Sequence, residues 1–264
     1  MMKADSITSC YIGPEISPEQ FIPEHFFLYL VEGNMTAYDG NREYRIQSGD
    51  SGIARRNHLA KYNKQKVSGQ FEKVVVIFDQ DFLKSFNESH RFPAAKPFTD
   101  DALVQLDKNP MVDGFVRSLT LYLNENGNIQ QDFLDVKRSE LLLILLKLKP
   151  ELAGIFFDFG QPEKLDLEAF MNKHYKFNVS IERFAYMTGR SLSAFKRDFA
   201  KTFNETPSRW LVQKRLNEAH FLIQKKGRLP SDVYLELGFE DLSHFSFAFK
   251  KAFGRTPTQV RQEA

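Results

Sequence analysis

Short polar and basic side chains stand at corresponding places in two segments of the chain. They are Ser193, Lys196 and Arg197 in the first segment, and Ser243, His244 and Ser246 in the second. Such groups can bind the edges of nucleic-acid bases, since Arg donates two hydrogen bonds to guanine and Ser donates or accepts. Lysines further along each segment, Lys201, Lys250 and Lys251, suit phosphates, which set affinity without reading sequence.

Both segments belong to an internal repeat, in which the same residue types recur 50 positions later in the chain. The residues of the first copy that recur are Leu192, Ser193, Phe195, Phe199, Lys201, Phe203, Thr206 and Pro207. The same residue types stand at 242, 243, 245, 249, 251, 253, 256 and 257. Two copies are too few for a solenoid, so a pair of similar modules is predicted.

Each copy is predicted to fold as helix, turn and helix, at about residues 179–203 and 230–253. In the first copy a glycine, Gly189, can end one helix and Ser191 can cap the next. The spacing of Leu192, Phe195, Phe199 and Phe203, like that of the equivalent residues from Leu242 to Phe253, predicts one buried helix face.

A linker helix at about 207–226 would connect the copies and hold the two second helices one DNA turn, ~34 Å, apart. Charge favours the same partner, because residues 163–264 carry 18 Lys and Arg against 12 Asp and Glu, whereas residues 1–162 carry 18 against 22. The alternative is two helical hairpins whose outer faces are merely solvated.

The N-terminal half is predicted to form short strands between about residues 26 and 80, since this stretch is rich in aromatic and β-branched residues. Turn pairs such as Asp39-Gly40 separate the strands. Close spacing of such strands predicts a small antiparallel β-barrel, followed by helices after about residue 81. Gly160 and Pro162 interrupt the pattern near a predicted linker. The fold class is therefore α+β, with domains at 1–160 and 161–264 and an all-α second domain.

The C-terminal hundred residues resemble the DNA-binding domain of the AraC/XylS family of bacterial transcription regulators. The matching motifs are LGFEDLSHFS (237–246), FKKAFGRTP (249–257) and KRLNEA (214–219). The resemblance implies base contacts from Ser193, Ala194, Lys196 and Arg197, and from Ser243, His244, Ser246 and Phe247. Many members carry Arg where this chain has Phe247, which can touch a thymine methyl but cannot read guanine.

The N-terminal half resembles the cupin-like sensor domains attached to many of these regulators. The stretch ARRNHLAKY (54–62) is similar to that of members that answer to a protein partner. The resemblance implies promoter DNA, a small-molecule effector or regulatory protein, and RNA polymerase for an activator. It also implies a homodimer, formed through the apolar helix at about 132–149, which could instead be a buried core helix.

Two other functional classes would need different features. A cupin-type metal-dependent enzyme would need a His-x-His pair with a further Glu and His, whereas His25, His58 and His90 stand apart, so no metal, cofactor or catalytic residue is predicted. A protein-binding adaptor would turn the basic helices toward an acidic partner. Four tyrosines could line an effector pocket, although core packing is the simpler interpretation; they are Tyr29, Tyr38, Tyr44 and Tyr62.

The cellular compartment is expected to be the cytoplasm. The first 30 residues lack the basic start and apolar stretch of a signal peptide, and Cys10 is the single cysteine. The aliphatic run from Leu141 to Leu146 is far shorter than the ~20 residues that span a bilayer, so no membrane partner is predicted.

Overall fold

The computed structural model describes residues 10–12, 20–93, 96–122 and 129–262. The chain divides into two compact units, Met1–Gly160 and Gln161–Ala264. No helix in these described ranges is both long and apolar enough to cross a lipid bilayer.

The N-terminal unit contains short strands, as its aromatic and β-branched segments predict. Its described strands are β1 (Cys10–Ile12), β2 (Phe21–Ile22), β3 (His25–Glu32), β4 (Asn34–Tyr38), β5 (Glu43–Gln47), β6 (Ser51–Ala54), β7 (His58–Leu59), β8 (Lys61–Gln65), β9 (Glu72–Phe78) and β10 (Leu103–Leu106).

These strands form three sheets, with the orders β1-β9-β3-β6-β10, β5-β4-β8 and β2-β7. The pairing is antiparallel, as predicted, except between β1 and β9, which run parallel with Cys10 opposite Val74. The predicted closure into one barrel is not seen among the described strands, because the hydrogen-bonded ladders stop at the edges of each sheet.

The five-stranded sheet has one core on each face, because successive side chains of a strand point to opposite sides. Phe26, Leu28 and Leu30 of β3 pack with residues of β4 and β5, so the three-stranded sheet covers this face. Phe27, between them, packs with Val76 and with helical residues on the other face. The sheet therefore lies between a second sheet and a layer of helices.

The helices of this unit are α1 (Gln80–His90), α2 (Pro110–Ser118), α3 (Leu134–Leu148) and α4 (Ala153–Phe156), with short 3₁₀ turns at Leu119–Tyr122, Gln131–Phe133 and Pro150–Leu152. Helix α3 buries two cations beside its leucines. Lys137 pairs with Glu140 at 2.8 Å, and Arg138 donates to the Ile77 carbonyl at 2.9 Å and pairs with Asp79.

The C-terminal unit is helical throughout its regular elements. They are α5 (Leu167–His174), α6 (Ile181–Met187), α7 (Leu192–Phe203), α8 (Pro207–Lys226), α9 (Pro230–Glu236), α10 (Leu242–Phe253) and α11 (Pro257–Gln262). Asp166 caps α5 by accepting a hydrogen bond from the Ala169 N–H at 2.9 Å, and Gly227 ends α8 in the left-handed conformation.

Candidate nucleic-acid interface

Two helix-turn-helix units stand in the C-terminal half, α6 with α7 and α9 with α10. The second helix of each begins at a side-chain cap. The Ser191 hydroxyl accepts from the Ala194 N–H at 3.3 Å, and the Asp241 carboxylate accepts from the His244 N–H at 2.6 Å. A cap satisfies a free N–H of the first turn and so determines where the helix starts.

The turn of the first unit requires glycine. Gly189 has φ +64°, and a Cβ there would lie 2.5 Å from the carbonyl carbon and oxygen of Glu163. Both the left-handed backbone and the close approach exclude a larger residue. The turn therefore sits directly against the segment that leads into α5.

Arg190 ties this turn to the second helix. Its Nη1 donates to the carbonyls of Leu165 at 3.0 Å and Thr188 at 2.7 Å, while its Nε donates to the Asp198 carboxylate at 3.2 Å. The hydrogen bond from Arg190 lowers the pKa of Asp198, with help from the charge of Arg197. Helix α7 is thus held at both its start and its middle.

In α7 the residues predicted to contact DNA bases lie on a different face from the core phenylalanines. Phe195 and Phe199 are fully buried, as the spacing predicts. Ser193, Lys196 and Arg197 are exposed and Ala194 is half-buried. The Arg197 guanidinium lies 3.5 Å from the Asp198 carboxylate, a weak contact at the surface that leaves the group accessible.

In α10 the division is less clean. Phe245 and Phe249 are fully buried, but Leu242 is 39% exposed, so its predicted place in the buried face is wrong. The buried face begins one turn later, at Phe245. Ser243 and His244 are exposed, Ser246 is half-buried and Phe247 is 71% exposed.

The predicted phosphate-binding lysines are exposed near the ends of the same helices. Lys201 lies in the last turn of α7, and Lys250 and Lys251 lie in the last turn of α10. At 1.5 Å per residue, Lys201 is roughly 12 Å along the helix axis from Ser193. One helix therefore presents polar groups at its start and a cation at its end.

Helix α8 connects the two helix-turn-helix units through an aromatic contact toward each of its ends. The Trp210 ring lies 5.6 Å from that of Phe199 and 4.7 Å from that of Phe203 on α7. His220 lies 5.9 Å and 4.6 Å from the equivalent rings of Phe249 and Phe253 on α10. The linker helix thus packs on both second helices through matching residues of the repeat.

Sequence reasoning gave no role to Arg215, although it lies within one of the family motifs. Its guanidinium is buried in the C-terminal unit and donates to the carbonyls of Tyr175 at 2.7 Å, Phe177 at 2.8 Å and Gly238 at 2.9 Å. Burial lowers its pKa to about 10. The available signal was an Arg among the buried positions of α8, beside Leu211 and Leu216.

In the N-terminal unit three of the four tyrosines for which core packing was the simpler interpretation are hydrogen-bonded within the fold. The Tyr44 hydroxyl donates to the Asp39 carboxylate at 2.7 Å, that of Tyr29 to Asp113 at 3.1 Å, and that of Tyr38 to the Gly40 carbonyl at 2.9 Å. Tyr62 is exposed on β8. These contacts explain Tyr29, Tyr38 and Tyr44 as structural residues.

The three N-terminal histidines are also hydrogen-bonded within the fold. His25 is buried, its Nδ1 accepts from the Arg56 N–H at 3.2 Å, and burial holds its pKa well below the usual value. His58 Nδ1 lies 2.8 Å from the Arg56 carbonyl, and His90 Nδ1 lies 2.9 Å from that of Phe86. Within the described ranges, no group of three or more His, Cys, Asp or Glu residues could hold a metal ion.

Two family models match this chain. One is described as the ExsA N-terminal regulatory domain and matches residues 25–155, and the other is described as a helix-turn-helix domain and matches residues 184–263. Between them the matches include most residues of both N-terminal cores and both second helices of the helix-turn-helix units.

Similar proteins include named regulators. The HTH-type transcriptional regulator ExsA of Pseudomonas aeruginosa is 25% identical over 97% of this chain and 92% of its own length. The virulence regulon transcriptional activator VirF of Yersinia enterocolitica is 25% identical over 88% and 87%. The HTH-type transcriptional activator RhaR of Klebsiella pneumoniae is 34% identical over 32% of this chain and 30% of its own.

Proposed function

The chain belongs to the AraC/XylS family of DNA-binding transcription regulators, and we propose that it reads promoter DNA with the starts of α7 and α10. The observation that carries this proposal is the exposure of Ser193, Lys196 and Arg197 on a helix whose opposite face is fully buried at Phe195 and Phe199. A major groove admits such a helix, with its first residues against the base edges.

The two helices take different parts in this proposal. In α7, Arg197 and Lys196 bind guanine edges while Ser193 and Ala194 make short-range polar and methyl contacts. In α10, Ser243, His244 and Ser246 offer weaker hydrogen bonds and Phe247 meets a thymine methyl. Lys201, Lys250 and Lys251 bind phosphates and so contribute affinity without sequence preference.

Replacing Arg197 with Ala tests the assignment of the reading helix. We expect binding to a promoter duplex to weaken by about 1–3 kcal/mol and preference to relax at one base pair, because a bidentate pair to guanine is lost. The measurement is competition binding across a set of single-base-pair variants of the duplex. The control is Arg45→Ala, which removes an exposed arginine from the N-terminal unit; equal effects of the two substitutions would contradict the assignment.

The N-terminal unit is the part that receives the signal in this proposal. Its match to a regulatory-domain model supports the assignment, and its two larger sheets face each other across one core, as a cupin-like sensor fold requires. The signal is a small-molecule effector or a regulatory protein. Because VirF and RhaR are named activators, we include activation, and hence contact with RNA polymerase, in the proposed function.

Helix α3 is the proposed site of homodimer formation. Its buried face is formed by Leu141, Leu142, Leu145 and Leu146, but Val136 and Leu143 are 59% and 45% exposed. Their seven-residue separation places them on one side of the helix, as in the seam of a helix pair. An isologous contact between two copies of this face would remove both side chains from water.

Replacing Val136 with Asp is expected to shift the chain from dimer to monomer, weakening self-association at least tenfold, because a buried unpaired carboxylate costs several kcal/mol. Analytical ultracentrifugation over a range of concentrations measures the change. Leu121→Asp is the matched control, since Leu121 is 81% exposed and lies outside α3. A Val136→Asp protein that sediments like the unmodified chain would remove α3 from the dimer.

A further inference from the structure

Arg215 is a buried cation held by backbone carbonyls alone. Its three hydrogen bonds, from 2.7 to 2.9 Å, go to Tyr175, Phe177 and Gly238. No carboxylate forms an ion pair with it in the part of the chain that the structure describes. A planar guanidinium holds its donors in a fixed fork, whereas an ammonium carries three rotatable donors that fix no orientation.

The three carbonyls come from two separate parts of the C-terminal unit. Tyr175 and Phe177 belong to the segment that enters the first helix-turn-helix unit, whereas Gly238 is the turn of the second. One side chain on the linker helix therefore bonds both to the segment before the first helix-turn-helix unit and to the turn of the second. Removing its fork would leave buried carbonyls without donors at each of them.

Neighbouring contacts join the same three parts. The Lys176 ammonium pairs with Glu218 of α8 at 3.1 Å, and the Asn178 amide donates to Glu240 at 2.8 Å. Gly238 has φ +81°, and a Cβ there would lie 2.7 Å from the Lys176 carbonyl oxygen. The turn of the second unit is thus in direct backbone contact with the segment before the first.

Arg215 also occupies the middle of the linker helix. It is five residues from Trp210, which packs on α7, and five from His220, which packs on α10. These two aromatic contacts are roughly 15 Å apart along the helix axis at 1.5 Å per residue. Aromatic packing alone fixes contact but allows sliding, whereas three directed hydrogen bonds fix orientation.

We propose that Arg215 is a positioning residue that sets the distance and angle between α7 and α10, and so determines the half-site spacing that the chain accepts on DNA. The proposal rests on the proposed function, since it assigns a specificity to the same pair of helices. One inserted base pair moves a half-site by about 3.4 Å and rotates it by about a tenth of a turn, so a rigid pair of helices discriminates spacing and a loose pair does not.

The first experiment measures the geometry without DNA. Spin labels are placed at the equivalent exposed positions Thr202→Cys and Ala252→Cys, with Cys10→Ser to remove the native thiol, and their distance distribution is recorded. We expect a narrow distribution with Arg215 and a broader or shifted one with Arg215→Lys, which keeps the charge but loses the fork. Glu240→Ala removes the hydrogen bond from Asn178 and should broaden the distance distribution in part. Because Glu240 is exposed, this variant tests the junction without changing a buried residue.

The second experiment measures spacing on DNA. The full chain selects a duplex from a random pool, and binding is compared with derivatives that carry one or two extra base pairs between the half-sites. We expect the insertion to weaken binding at least tenfold with Arg215, because one helix then faces the wrong base pairs, and by less than about threefold with Arg215→Lys. Thermal denaturation confirms that each variant is folded.

The two experiments separate the two claims. Distance distributions that are the same in all three proteins overturn the positioning role, whatever the DNA result. An unchanged insertion penalty in Arg215→Lys overturns the link to half-site spacing. A broadened distribution in a chain that selects no duplex supports the positioning role and refutes the proposed function instead.

Discussion

Phe247 is the residue at which helices α7 and α10 differ most in chemistry. It is 71% exposed on α10, where it offers an apolar ring, whereas α7 offers Lys196 and Arg197. An exposed apolar ring on a helix that is proposed to enter DNA gains free energy when a partner covers it. The thymine methyl in the major groove is such a partner, so the second unit should prefer a T·A pair at one position.

Replacing Phe247 with Ala should weaken binding about threefold to tenfold and remove that preference, because one apolar contact is lost and no hydrogen bond changes. Phe247→Arg should instead create a preference for guanine at the same position. Binding to four duplexes that differ only at that base pair measures both. If Phe247→Arg keeps the original base preference, Phe247 does not reach the groove.

At the scale of single elements, local sequence patterns predicted most of what the C-terminal unit shows. Ser191 caps α7 as predicted, since a cap depends only on a residue and the next turn. The phenylalanine stripe is confirmed at Phe195 and Phe199, because helical periodicity is equally local. The exposure of Leu242 was missed because burial of a helix end depends on which neighbours reach it.

The partner of each strand could not be predicted from the sequence, for a different reason. Strand β6 pairs with β10, so that Ala54 lies opposite Leu103, and β1 joins β9 in parallel. Nothing in the types of these residues encodes such distant partners, since register is set by the packing of whole faces. Arg215 was missed likewise, because the carbonyls it binds carry no side-chain pattern.

The turn glycines allow a controlled test at this scale. Gly189 and Gly227 both have φ +64°, but a Cβ at Gly189 would lie 2.5 Å from Glu163 backbone atoms, whereas one at Gly227 would have nothing within 4 Å. Gly227→Ala should therefore cost only the left-handed conformation, about 1–2 kcal/mol of unfolding free energy.

Gly189→Ala should cost more than about 3 kcal/mol, because overpacking against a backbone adds to the same conformational cost. Chemical denaturation of both variants measures the difference. If the two alanine variants unfold at the same denaturant concentration, the turn of the first unit does not pack tightly against the segment before α5.

At the scale of the whole molecule, charge separates the two halves. Residues 163–264 carry a net +6 and residues 1–162 a net −4, so a net attraction to a polyanion is expected from the part that holds both helix-turn-helix units. Sequence-neutral attraction of this kind supplies most non-specific DNA binding, while base contacts add the specific increment. The sequence indicated both contributions, but the hydrogen bonds from Arg215 to Tyr175, Phe177 and Gly238 became evident only from the structure.

The salt dependence of binding tests this distinction between phosphate contacts and base contacts. Each phosphate contact adds about −0.9 to the slope of log K against log salt, because binding releases condensed counterions. Lys201→Ala should therefore reduce the slope by about 1 and weaken binding to all sequences equally. Lys66→Ala, which removes an exposed lysine of the N-terminal unit, should leave the slope unchanged. Titrations of one duplex at several salt concentrations give each slope.

The slope of the unmodified chain also distinguishes two functional classes. A slope near zero would favour a protein-binding adaptor, whose basic helices bind an acidic partner, over a regulator that binds the phosphate backbone.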